Sequence, residues 1–346
     1  MIDKAIKNWL DFLKVNSLLE KVHNRHIYLW GAYEQSAIIA KELKRRNVLI
    51  SGYVESKKKM ERFMDAPVIS PEELGAPQEV FVIIPVKSRI DEIVEQLENK
   101  QFTIMKDYLV IRNQQLIQYN GGYYEDVFGN RIISGNYDVT SNMTVEFNGY
   151  NNTIIIGRNV TINDTKLLCE YGSTISIGAK CKVSNSFIKC TEKGVLDIGD
   201  KCVLTQCDWY SKSSVVIGDQ CTFSGMTTIG ADVNSPVTIG KDCMFAWPVY
   251  IRSNNAHALL DLENRENTSL TKEHFVRIGN HVWIGQNVNI LFNADIEDNS
   301  VIGAGSMVNK SFPANCVIAG NPAKIVKENH SWARKFAISF EEFENG

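Results

Sequence analysis

Between Val276 and Val308 a branched aliphatic residue returns at every sixth position: Ile278, Ile284, Ile290, Ile296, Ile302 and Val308. A helix burying one face would space its apolar residues by three and four, and a half-buried strand by two. A period of six fits a chain that runs one short strand, turns a corner and runs the next. Three such strands make one coil of a three-sided prism, and the aliphatic residue of each hexapeptide points inward. Upstream, Ile-Gly recurs at 156, 177, 198, 217 and 239, about one coil apart, which is the mark of a solenoid. The Gly or Asn after the aliphatic residue is expected to relieve difficult backbone angles at the corner. The fourth residue after it is small: Val160, Cys181, Cys202, Cys221 and Cys243, then Val282, Val288, Ala294, Ser300 and Ser306.

The first half of the chain has another rhythm. "HIYLWGAY" predicts a strand and turn, "EQSAIIAKELKRR" an amphipathic helix, and "VLISGYVE" a second strand ending on Glu55. "FVIIPVK", the helical "SRIDEIVEQLENK" and the extended "FTIMKDYLVI" continue the alternation, so residues 25–112 are expected to form a parallel α/β domain. Ligands of such sheets sit beyond the carboxyl ends of the strands, here at "WGAYEQS". A dinucleotide site needs three glycines there, and only Gly31 is present, while Glu34 at the helix start repels phosphate. A substrate-side or assembly role is therefore expected of this domain. Ahead of it, residues 1–24 place Ile2, Ile6, Trp9, Leu10 and Leu13 on one helical stripe, predicting a helix packed on its own domain or a sister chain. The mixed charges opposite that stripe disfavour membrane attachment. Residues 113–136, rich in Gln, Asn, Gly and Tyr, read as a linker. Residues 328–346 predict a C-terminal helix with Trp332, Phe336 and Phe340 on one face, capping the open end of the prism or docking on a partner subunit.

Composition narrows the partners. Net charge is −3, so the basic field that a nucleic-acid backbone requires is missing from the totals. The longest apolar runs, such as "VFVIIPV", are too short to span a bilayer. The N-terminus lacks a basic stretch followed by an apolar core, and eight cysteines without a CxxC pair read as free thiols in a reducing, cytoplasmic setting. Four of the eight fall on the small interior position.

"YIRSNNAH", "VRIGNHVWIGQNVNIL", "SVIGAGSMVNKSFPANCVIAGNPAKIV" and "SWARKF" carry a family likeness. The segment 137–327 resembles the left-handed parallel β-helix of the hexapeptide-repeat acyltransferases, above all the bacterial acetyltransferases that modify sugars or cell-surface polysaccharides. The N-terminal half is similar to the small Rossmann-like domain fused to several of them. The fold class expected is thus an α/β Rossmann-like domain followed by an all-β left-handed parallel β-helix with a C-terminal helix.

The repeat breaks once, between Ile251 and Val276, where "RSNNAHALLDLENRENTSLTKEHF" cannot continue the prism. Long excursions from a rigid scaffold are usually functional. The resemblance implies that this loop projects against a neighbouring subunit of a homotrimer and that His257 is the general base. A sugar hydroxyl must lose its proton as it attacks a thioester, and an imidazole near neutrality accepts it. Many relatives carry an acidic residue two positions before this histidine, but Asn255 stands there. Asp261 is the first candidate to orient His257, ahead of Glu263. The resemblance also implies acetyl-CoA along the outside of the prism. Gly303, Ala304 and Gly305, with Ala319 and Gly320, would offer backbone to its pantetheine arm, Trp283 would flank the arm, and Lys310 and Lys324 would meet its phosphates. No metal site is expected, and His281 reads as a surface residue of a coil. The reading is an acetyl-CoA-dependent sugar O-acetyltransferase of capsule or lipopolysaccharide biosynthesis. Its alternatives are an N-acetyltransferase on a nucleotide-linked amino sugar and a non-catalytic trimeric assembly protein.

Overall fold

The computed structural model describes residues 24–85, 89–104, 106–110, 114–119, 121–126, 128–135, 141–255, 257–258, 260–267, 274–336 and 338–344. The amphipathic stripe expected at the N-terminus lies outside the described residues. The chain divides into two compact units, the first essentially residues up to 114 and the second most of the remainder.

The first unit is the expected α/β sheet. Its elements are β1 (His26–Trp30), α1 (Glu34–Lys44), β2 (Gly52–Val54), β3 (Arg62–Phe63), β4 (Ala66–Ile69), β5 (Val80–Ile84), α2 (Ile90–Asn99) and β6 (Tyr108–Val110). The strand order is β3-β4-β2-β1-β5-β6, parallel except for the edge strand β3. All five residues of β5 are buried, as its unbroken apolar sequence demands of a strand covered on both faces. Ile39 and Leu43 of α1, and Ile93 and Leu97 of α2, join the same core as the strands. Successive strands are added on one side of β1 up to β4 and on its other side from β5, so the cleft at the carboxyl ends of β1 and β5 is a topological switch point.

The second unit is the prism. On its first side Ile156, Ile177, Ile198, Ile217, Ile239, Ile278 and Ile296 stack in register. The second side stacks Ile162, Val183, Leu204, Phe223, Phe245, Ile284, Ile302 and Ile318. The third stacks Leu167, Ile188, Trp209, Ile229, Ile251, Ile290 and Val308. These residues are essentially inaccessible to water. Each contributes about 1.5–3 kcal/mol of burial. The interior also takes aromatic rings, with Phe223 stacked on Phe245 at 4.4 Å and Trp209 edge-on to Phe223 at 5.0 Å. The small fourth-position residues are buried throughout, Cys181, Cys202, Cys221 and Cys243 among them.

Two expectations need correcting. The glycine after the aliphatic residue does not supply the unusual backbone angle, because φ is positive two residues later, at Asn159, Lys180, Lys201, Gln220, Asp242, His281 and Asn287. The glycine answers to crowding instead. A Cβ on Gly157 would come 2.6 Å from the Ala179 nitrogen of the next coil, and one on Gly218 would come 2.6 Å from the Lys241 nitrogen. Side chains then tie the corners together: Asp200 accepts the Ala179 N–H at 2.7 Å, Asp219 that of Asp200 at 2.7 Å, and Asp298 that of Asn280 at 2.7 Å.

The second correction concerns the ends. The stack begins within the expected linker, since Arg131–Ser134 already pairs in parallel with Thr153–Ile156. At the other end, among the described residues, helix is confined to Phe340–Glu344. Phe336 and Phe340 are exposed, and Trp332 alone of the three expected on one face is buried.

Candidate functional site

The excursion leaves the third side after Val249–Arg252 and returns to the first side at Val276–Ile278. Its stems are pinned. Ser253 is fully buried and its hydroxyl donates to the Ser235 carbonyl at 2.6 Å, while buried His274 sets its ring edge against Phe292 at 4.8 Å. Between the stems, Leu260–Asp261 and Glu266–Asn267 form a small antiparallel hairpin. Asp261 shapes its turn, accepting the N–H groups of Glu263 at 2.9 Å and Asn264 at 3.0 Å and the Asn264 side-chain amide at 2.9 Å. The Asn264 bonds first, then the Glu263 N–H, hold the Asp261 carboxyl below the usual carboxylate range. Among the described residues, Oδ2 accepts only the Asn264 amide, which leaves it room for one further donor. His257 is exposed, and no hydrogen bond joins it to Asp261 among the described residues.

The residues expected on the donor side gather at another corner. Ile302 and Ile318 are in register, so Gly303–Ala304 lies beside Ala319–Gly320, and Lys324 pairs with Ala319 across the antiparallel strand Lys324–Glu328. Gly305 (φ 73°) faces open space where a side chain would be, and Gly320 (φ 102°) is equally strained for any other residue. Backbone is thus laid open at this corner, between the second and third sides. Trp283, exposed on the second side, stands in register with Val301, two residues before Gly303. Lys310 is not part of this group. It sits between the third and first sides with its ammonium 5.2 Å from the Phe312 ring, at the corner from which the His257 loop springs.

Sequence reasoning missed a third cluster, at the corner between the first and second sides. His281 Nδ1 lies 2.6 Å from Asp242 Oδ2, and its Nε2 lies 2.8 Å from the Trp332 carbonyl. Both nitrogens face acceptors, so the ring donates to both only with a hydrogen on each. The Trp332 indole stacks on the imidazole at 4.4 Å and its N–H returns a bond to the His281 carbonyl at 2.8 Å. Arg334 adds Asp242 at 2.8 Å, Thr222 at 3.2 Å and the Gln220 carbonyl at 3.1 Å. With the His330 N–H on the Asn315 carbonyl, the C-terminal segment runs down one corner as a strap across successive coils. His281 is therefore a clasp residue, not a free surface histidine. The only advance signal was "SWARKF", which the helical reading spent on the wrong geometry.

In the first unit, a cavity of about 300 Å³ opens at the strand ends, lined by Trp30, Gly31, Glu55, Lys57 and Arg89 among others. The Glu55 carboxylate takes the Ala32 N–H at 3.2 Å, so an internal anion already holds a donor of the turn that a pyrophosphate would use. Among the described residues no group of three His, Cys, Asp or Glu could hold a metal, and no helix is long and apolar enough to cross a membrane.

Coils of three parallel strands make this unit a parallel β-helix, left-handed as in the acetyltransferases it resembles. The bacterial transferase hexapeptide (six repeats) family matches residues 275–310. The crystallographically analysed polysialic acid O-acetyltransferase OatWY is 39% identical, with a TM-score of 0.51 over 55% of this chain and 90% of that one. The chain belongs to the hexapeptide-repeat transferase family. Among curated relatives, the polysialic acid O-acetyltransferase of Neisseria meningitidis is 40% identical over 131 residues, 37% of this chain and 59% of that protein. The polysialic acid O-acetyltransferase of Escherichia coli O1:K1 / APEC is 34% identical over 122 residues, 35% of this chain and 39% of that protein. The chain thus spans only about 39% to 59% of the length of these curated relatives.

Proposed function

We propose that the protein is an acetyl-CoA-dependent O-acetyltransferase acting on a sugar hydroxyl of a bacterial surface polysaccharide, with His257 as general base. The observation that carries this reading is the pairing of one pinned, histidine-bearing loop with a corner of open backbone, on a scaffold 39% identical to a polysialic acid O-acetyltransferase. The neutral imidazole of His257 takes the hydroxyl proton as the sugar oxygen bonds to the thioester carbonyl carbon. The tetrahedral intermediate gathers charge on its oxygen, where backbone N–H donors stabilise it. Its collapse breaks the C–S bond, and the imidazolium returns the proton to the departing thiolate. Asp261, with one acceptor site to spare, is the candidate to orient the imidazole. Trp283, Gly303, Ala304, Ala319, Gly320 and Lys324 form the donor side, with Lys310 the outlying cation.

The loop and the open-backbone corner sit at opposite ends of the third side, so one chain carries two half-sites. This favours a homotrimer in which the loop of one subunit reaches the donor corner of the next. Eight buried thiols fit a reducing cytoplasm. The test incubates the full chain with acetyl-CoA and a panel of polysaccharides and nucleotide sugars, and reads acetyl gain by mass. Acetylation of none of them, despite acetyl-CoA binding, removes the reading.

The cavity in the first unit supports a second reading, N-acetylation of a nucleotide-linked amino sugar, with Lys57 the cation toward phosphate, since Arg89 is already held by Glu92. Calorimetry of the full chain with UDP- and CMP-sugars decides between them, because binding at neither removes the alternative.

A further inference from the structure

The strap lays two side chains, Trp332 and Arg334, onto the prism, and it spends its apolar surface selectively. Phe336 and Phe340 are left in water, and the buried ring is Trp332, only 7% exposed. That ring lies against His281 on one face and sits 6.1 Å from the Trp283 ring, tilted by 44°. Arg334 stands over the Trp332 ring at 5.7 Å while bonding Asp242. Trp283 itself belongs to a strand of two residues, Trp283–Ile284, with its ring outward on a flat side. An indole so placed has rotamers to choose among, and a fixed neighbour removes most of that choice. The residue after Ile284 is Gly285, whose absent Cβ would fall 2.8 Å from the Ala304 nitrogen, so the flat side that carries Trp283 runs on to the corner of open backbone.

We propose that Trp332 is a positioning residue for the acyl donor: clasped by His281, Asp242 and Arg334, it fixes Trp283 as the aromatic wall of the groove that ends at Gly303 and Ala319. The proposal rests on the reading of that corner as the donor side. In it the C-terminal segment is part of the binding site, and its staple-like run across the coils holds one ring where the donor passes. A purely structural strap would hold the coils equally well with its tryptophan anywhere along the corner.

The test measures CoA binding to the full chain by calorimetry for wild type, Trp332→Ala, Trp332→Phe and Trp283→Ala, alongside the thermal melt of each. Trp332→Ala is expected to weaken CoA roughly three- to tenfold, as loss of one braced aromatic contact does. Trp332→Phe, which keeps a flat ring on His281, is expected to restore most of that affinity. If Trp332→Ala unfolds, His281→Gln, which removes the stacked imidazole and leaves both tryptophans, is expected to weaken CoA by a similar factor. Wild-type affinity in a folded Trp332→Ala, or equal loss in the Phe variant, overturns the proposal. The underlying reading fails differently: Trp283→Ala then binds CoA as wild type does, or wild type binds none, and either result removes this proposal as well.

Discussion

The place where a side chain would begin on Gly157 lies 2.6 Å from the backbone nitrogen of Ala179, one coil further on. No Cβ survives at that distance, so the glycine is fixed by coil-to-coil approach. The backbone angle is a separate matter carried by its neighbours, Asn159 (φ 54°) and Lys180 (φ 60°). Gly157→Ala is expected to destabilise the protein by at least about 2 kcal/mol, the cost of overpacking. Lys180→Gly is expected to be neutral or to gain up to about 1 kcal/mol, because relief of a left-handed side chain outweighs the freer unfolded chain. Denaturant titrations of the two variants check this, and equal losses in both would return the glycine to a conformational role.

The clasp has a pH signature through Asp242. Burial pushes its carboxyl up, but the hydrogen bonds from His281 and Arg334 outweigh it and hold the group below the usual range. A lowered carboxylate adds stability that is complete above its unfolded value, near about 4, and is lost as pH falls through the folded one. Asp242→Asn should therefore melt below wild type at pH 7. The gap between them should narrow steadily below about pH 4. Asparagine tolerates the positive φ at this position, which keeps the comparison free of backbone strain. A gap that stays constant into acid would show that the carboxylate charge contributes nothing to the clasp.

Every cysteine is buried. Burial pushes the Cys190 thiol up to about 12, hydrogen bonds from Ser173 and Ser211 offsetting only part of it, and it pushes the Cys207 thiol up as well. Burial denies a reagent access to all eight, so an aromatic disulfide reagent should find none of the thiols in the folded protein and all eight once it is unfolded. Rapid reaction of even one thiol under native conditions would place it outside the interior columns.

What the sequence made legible follows from how burial is distributed. A large aliphatic residue at every sixth position, pointing into a narrow interior, leaves a strong imprint, and Ile278, Ile284 and Ile290 are buried as the period requires. The α/β alternation was equally plain, because β5 reads as an unbroken apolar run. The meaning of Ile-Gly was not legible: crowding and positive φ both select glycine, and only the position of Ala179 separates them. The strap was hidden for a related reason. Trp332, Phe336 and Phe340 keep helical spacing, yet Trp332 is claimed by His281, more than fifty positions away by chain order. Pairings that distant, like that of Arg334 with Asp242, leave no local period.

The most direct measurement is the rate of acetyl transfer by His257→Ala, with acetyl-CoA saturating and the acceptor identified by mass, beside its affinity for CoA. The account predicts a fall of roughly a hundred- to ten-thousandfold in turnover, as loss of a general base gives, with CoA affinity unchanged. Turnover at the wild-type rate would contradict it and move the base, or the reaction, elsewhere in the molecule.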